Sequence, residues 1–125
     1  MGTHHFTFAL HHREAGESLV LELSGEIDAW AYAELLPPLA EVLDGSYADV
    51  VVDLRPVTFL DAGGLRLLLR IKSRVDDHQG TLRLVRGTPR VWRIMRLTRL
   101  DDAFTVLDGP PASLRDQGVP ARMLS

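Results

Sequence analysis

The sequence predicts an α/β fold, a mixed sheet whose elements run ββαβαβαβ. Three observations carry that reading. Near the start two short segments alternate, with Phe6, Phe8 and Leu10 on one side of the first and Leu19, Leu21 and Leu23 on one side of the second, as half-buried strands do. Val50-Val51-Val52 is the strongest β signal in the chain, and its unbroken apolar run marks a strand covered on both faces. From Asp49 onward strand-like and helix-like stretches take turns, the pattern of parallel strands joined by right-handed crossovers. A length of 125 residues with 46% apolar side chains fits one domain with an ordinary core.

Each element has its own justification. His5 to His11 and Leu19 to Leu23 flank a turn at Glu14 to Ser18 and form a hairpin. Asp28 stands where it can cap the next helix. Ala29 to Leu43 is helical in composition, with Leu35, Leu39, Val42 and Leu43 on one face, but Pro37-Pro38 interrupts it. An interior proline removes a hydrogen bond and crowds the preceding turn at a cost of about 3 kcal/mol, which predicts a kink or two short helices. Asp49 to Leu54 is the central strand. Leu65 to Val75 turns Leu65, Leu68, Leu69, Ile71 and Val75 inward and Arg66, Arg70, Ser73, Arg74 and Asp77 outward. Lys72 falls in the apolar arc, where only its stem suits the surroundings. Gly80 ends this helix and Thr81 to Val85 follows as a strand. Thr88-Pro89 opens a third helix, proline being suited to the first turn, with Val91, Ile94, Met95 and Leu97 for the core. Phe104 to Leu107 is the last strand. The domain therefore covers residues 5–108; residues 109–125, polar beyond Gly109-Pro110-Pro111, form a mobile tail with at most a short helix around Ser113 to Gln117.

Composition narrows the function. A net charge of −3 and a pI near 5.9 give no overall attraction to nucleic acid. Arginines at 90, 93, 96 and 99 read as a solvated helix face balanced by Asp101 and Asp102. Without cysteine there is no disulfide, thiol nucleophile or thiolate metal site. His4, His5, His11 and His12 come in adjacent pairs, and neighbours on a strand point to opposite faces, so they make a poor ligand set and no metal is expected. No signal-peptide pattern and no apolar run near the ~20 residues of a membrane span occur, so the expected location is the cytoplasm. No G-x-S-x-G elbow, P-loop or G-x-G-x-x-G is present, and Asp28, Asp53 and Asp61 read as caps rather than an acidic active site. No catalytic residue and no cofactor is expected, and the protein is not expected to be an enzyme.

One stretch asks for more than a structural account. Asp61-Ala62-Gly63-Gly64 sits at the mouth of the second helix, where orphan N–H groups and partial positive charge gather.

Together, L-S-G-E-I-D-A-W at Leu23 to Trp30 and V-V-V-D-L-R-P-V-T-F-L-D-A-G-G-L-R-L-L-L at Val50 to Leu69 resemble the STAS domain of bacterial anti-sigma factor antagonists. The resemblance extends from about Phe6 to Leu107. It implies a STAS-type mixed sheet with helices packed on one side, and a protein that works by partner switching. Its partner would be an anti-sigma factor of the ATPase and serine-kinase type, with a phosphatase as resetting enzyme, no nucleic acid or membrane partner, and a monomer or weak dimer as the working state. It implies docking through Asp28, Leu60, Asp61, Ala62, Gly63, Gly64 and Leu65, with Leu60 and Leu65 supplying apolar contact and the glycines letting a partner approach the backbone. In that family a serine directly after the aspartate is phosphorylated, and the added charge of about −1.5 to −2 breaks docking. Here that position is Ala62 and the next is Gly63; neither takes a phosphate. Three explanations stay open: an antagonist that its kinase cannot turn off, a module regulated by competition or at Thr58, or an engineered replacement of serine. Two other roles remain as alternatives, a STAS subunit of a transport or other signalling complex and a nucleotide-binding module using the helix mouth between Asp28 and Gly64.

Overall fold

The computed structural model describes residues 7–45, 47–114 and 122–124. The strands are β1 (Phe8–Ala15), β2 (Ser18–Ile27), β3 (Asp49–Asp53), β4 (Val57–Leu60), β5 (Thr81–Val85), β6 (Thr105–Leu107) and β7 (Arg122–Leu124). The helices are α1 (Ala29–Leu43), α2 (Ala62–Asp77) and α3 (Pro89–Leu97), with single 3₁₀ turns at Leu100–Ala103 and Ala112–Leu114. The sheet runs β6-β5-β3-β2-β1-β7, with β4 also paired to β2. β1 lies antiparallel to β2 and β7, and the remaining pairings are parallel. The predicted α/β class and mixed sheet are observed.

Strand alternation sorts the side chains into two layers. Leu10, Leu19, Leu21, Leu23, Val50, Val52 and Leu84 join α1, α2 and α3 residues in the main core. Val51 and Val85 turn to the other face and meet Leu114 there. The three helices thus cover one face of the sheet, and β3, buried at Val50, Val51 and Val52, is covered on both.

The structure corrects the expected elements at several points. β4 is additional to the predicted order. It follows Pro56, and two of its four residues, Thr58 and Phe59, are exposed, so no period-2 signal announces it. It forms because β2 is ten residues long: Ser18 to Glu22 pairs β3 and Gly25 to Ile27 pairs β4. α1 is one helix despite Pro37 and Pro38. Pro37 and Pro38 strip a partner from the carbonyls of Ala33 and Glu34, both exposed residues, so the loss falls where water can replace it. Inside α1, Ala31, Leu35, Leu39 and Leu43 are buried at a spacing of four.

Leu69 and Leu97 do not enter the core; they are 40% and 71% exposed, while Leu67, not assigned inward from the sequence, is fully buried. Lys72 is partly covered and ends on Asp76, one turn on, at 2.6 Å. Gln79 rather than Gly80 takes the left-handed conformation at the end of α2 (φ 59°). β7 was not expected, and β1 continues to Ala15 beyond the predicted His11. Of the short helix expected at Ser113 to Gln117, the described part is the 3₁₀ turn Ala112–Leu114. Residues 115–117, like His4, His5 and Phe6, lie outside the described residues.

Candidate functional site at the paired helix mouths

β2 ends at Ile27 and β4 at Leu60, and these two residues are partners in a parallel ladder. The next residue of each strand is an aspartate that starts a helix, so α1 and α2 open side by side at the ends of these two paired strands. Asp28 caps α1, its Oδ1 accepting from the Ala31 N–H at 2.9 Å. Asp61 caps α2, its Oδ1 accepting from the Gly63 and Gly64 N–H groups at 2.8 and 3.4 Å. Capping is thus the work of both aspartates, as their positions predict. Replacing Asp61 with Ala removes the acceptor for two N–H groups and should lower stability by about 1 kcal/mol, read as a shift in the urea midpoint at constant slope. An unchanged midpoint would mean that the cap is not needed.

The glycines serve the chain itself. A Cβ on Gly63 would stand 2.5 Å from Ala29 N and 2.6 Å from Asp28 C. A Cβ on Gly64 would meet Leu60 Cδ1 at 2.4 Å and the Ile27 carbonyl oxygen at 2.5 Å. Gly63 and Gly64 therefore let the mouth of α2 lie against the mouth of α1 and the end of β2. The packing of the two mouths alone thus already requires glycine at both positions.

Leu60 and Leu65 need correction too. They are 1% and 9% exposed and belong to the core, so they have no surface to offer. Ala62 is exposed and Asp28, Asp61 and Gly63 are half-buried, while Gly64 is buried. The large exposed apolar side chains nearest the two caps in sequence are Phe59 in β4 and Trp30 in the first turn of α1, 43% and 41% exposed. Trp30 meets Phe8 edge to face, with ring centroids 5.2 Å apart. One turn into each helix, Arg66 lies over the Tyr32 ring at 5.3 Å. Sequence reasoning missed Trp30 and Phe59 because large aromatics next to apolar runs read as core.

The chemistry follows from the caps. Each mouth has its own carboxylate on its leading N–H groups, so an incoming phosphate would meet Asp28 and Asp61 instead of free donors. Among the described residues no group of three His, Cys, Asp or Glu is placed to hold a metal ion. Asp53, considered with Asp28 and Asp61 from the sequence, does not join the mouths. It is 5% exposed and takes Arg55 through both carboxylate oxygens, with contacts of 2.8 to 3.2 Å, which raises the Arg55 pKa. The arginine stripe is also broken, because α3 ends at Leu97 and Arg99 lies beyond it in a left-handed conformation (φ 60°). No helix of the described residues is long and apolar enough to cross a membrane.

Comparison with known proteins places this architecture. Residues 10–108 match the family described as "Mlab, STAS domain". An anti-sigma-B factor antagonist of Staphylococcus aureus (strain NCTC 8325 / PS 47) is 25% identical over 89 residues, which are 71% of this chain and 82% of that protein. A STAS-domain containing protein of Pseudomonas aeruginosa is 24% identical over 73% of this chain and 89% of its own. The crystal structure of an anti-sigma factor antagonist from Mycobacterium paratuberculosis superposes with a TM-score of 0.76 at 26% identity, covering 86% of this chain and 91% of that one. The unphosphorylated form of the antagonist SpoIIAA shares the fold at 16% identity, with a TM-score of 0.63 over 81% of this chain and 89% of its own. With the family match spanning most of its length and the same mixed sheet beneath it, this chain belongs to the STAS-domain family.

Proposed function

We propose that the protein is an anti-sigma factor antagonist that docks on an ATPase-type anti-sigma factor through the paired helix mouths and is not switched off by phosphorylation there. It is read as a binding protein, not an enzyme. The observation that carries the proposal is Ala62. It is exposed on the first turn of α2, beside the capped mouth of α1, where a partner can cover it and no hydroxyl waits for a kinase. Asp28, Asp61, Ala62 and Gly63 form the centre of the docking face, and Trp30 and Phe59 flank it as apolar anchors. Aromatic anchors beside a polar centre are a common source of interface energy.

A carboxylate at 62 would stand close to those of Asp28 and Asp61, and burying a third negative charge under a partner is costly. Ala62→Asp is therefore expected to weaken docking by about 30-fold or more, equivalent to about 2 kcal/mol. Ala62→Ser should keep docking and make it sensitive to ATP when the partner is a serine kinase. The test is a pull-down from the source cell's lysate with the parent, Ala62→Asp and Ala62→Ser as baits, with and without ATP. Recovery of an ATPase-type anti-sigma factor by the parent irrespective of ATP, and its loss with Ala62→Asp, supports the proposal. Equal recovery by Ala62→Asp rules out this face, and recovery of transporter subunits in place of an anti-sigma factor rules out the antagonist role.

A further inference from the structure

We infer that the face of the sheet opposite α1, α2 and α3 carries a second binding site, a cavity for a small organic acid with an apolar body. The cavity has a volume of about 540 Å³, within the usual range of small-molecule sites. Its floor is Val20, Val51 and Val85, closed from across by Leu114, with Pro110 and Pro111 in the wall. Such a floor selects a ligand with an apolar portion.

The charged groups on the cavity wall are unequally matched. Asp53 is engaged by Arg55 through Nε and Nη2, which leaves Nη1 of that guanidinium outside the pair. Glu22 stands opposite His11 in the β1–β2 ladder, and its Oε1 lies 3.7 Å from His11 Nδ1. Arg13 stands opposite Val20 instead. Its Nη2 donates to the Leu114 carbonyl, and its Nη1 is shut off from solvent with no acceptor among the described residues. A guanidinium that meets only a carbonyl among the described residues has donors left for an anion. Asp53 and Glu22 line the same cavity and would repel a multiply charged phosphate, so a single carboxylate fits best. It would accept from Arg13 and from the spare Nη1 of Arg55 while its apolar body covers the valines. This site lies on the opposite face from the main core and its helices, and it does not rest on the proposed docking role.

The test is an NMR titration of the full chain with sodium octanoate, with octanol and acetate as controls. Octanoate should shift the backbone amides of Val20, Val51 and Val85 saturably, with a Kd on the order of 0.1 to 1 mM for a ligand of its size. Octanol lacks the charge and acetate lacks the body, so each should bind about 10-fold or more weakly; Arg13→Met should weaken octanoate by a similar factor. Absence of shifts at these valines at about ten times the expected Kd, or octanol binding as tightly as octanoate, overturns the inference. Should Arg13→Met fail to fold, the octanoate and octanol comparison on the parent still decides.

Discussion

Gly63→Ser is expected to destabilise the protein by about 3 kcal/mol or more, whereas Ala62→Ser, one residue earlier, should stay within about 0.5 kcal/mol of the parent. The difference comes from what surrounds each Cα. Ala62 is exposed, so a hydroxyl added there meets water. A Cβ on Gly63 would lie 2.5 to 2.7 Å from three atoms of Asp28 and Ala29, all backbone, and backbone cannot rotate away as a side chain can. The mouth of α2 must then leave that of α1, taking with it the β2–β4 ladder that ends at Ile27 and Leu60. Urea unfolding of the two variants side by side measures this. If Gly63→Ser keeps its midpoint within about 1 kcal/mol of the parent, the mouths are not packed as described.

A second pair of neighbours should separate folding from docking. Leu60→Ala removes a side chain that is 1% exposed and packed in the main core, and should cost about 2 to 5 kcal/mol. Phe59→Ala removes one that is 43% exposed, so its effect on stability should stay below about 1 kcal/mol. Under the proposed function the ranking reverses for binding. Phe59→Ala should weaken capture of the anti-sigma factor by about 10-fold or more, the loss expected of an aromatic anchor. A Phe59→Ala protein that folds and binds like the parent would remove Phe59 from the interface. A Leu60→Ala protein as stable as the parent would contradict the burial of β4.

The legible parts of the fold were those where a local pattern and the tertiary environment agree. Val50 to Val52 read as a doubly covered strand because full burial leaves only apolar residues. Asp28 and Asp61 read as caps because a cap is satisfied within its own first turn. β4 was hidden, since its existence depends on the unused length of β2 and not on its own four residues. The same holds for Leu69 and Leu97, whose type says core while their position on the helix says surface. Under the proposed function Asp28, Asp61 and Ala62 keep the place that the resemblance implied, while the apolar role passes from Leu60 and Leu65, which are buried, to Phe59 and Trp30, which are exposed. Apolar character along the chain does not reveal which neighbour turns outward. The cavity was illegible for another reason: its wall gathers residues from β1, β2, β3, β5 and the segment after β6, which no short window holds together.

The ten-residue span of β2 has a consequence for how the chain finds its fold. β2 is in register with three strands at once, β1, β3 and β4. The hairpin with β1 closes over a short turn and so has the smallest loop entropy to overcome, while the parallel pairings must wait for α1 and for the chain leading into α2. A slip of one residue in β2 would turn Leu19, Leu21 and Leu23 toward the face opposite α1, α2 and α3 and misplace both later strands together. The strand that aligns the two helix mouths thus also ties together the registers of β1, β3 and β4.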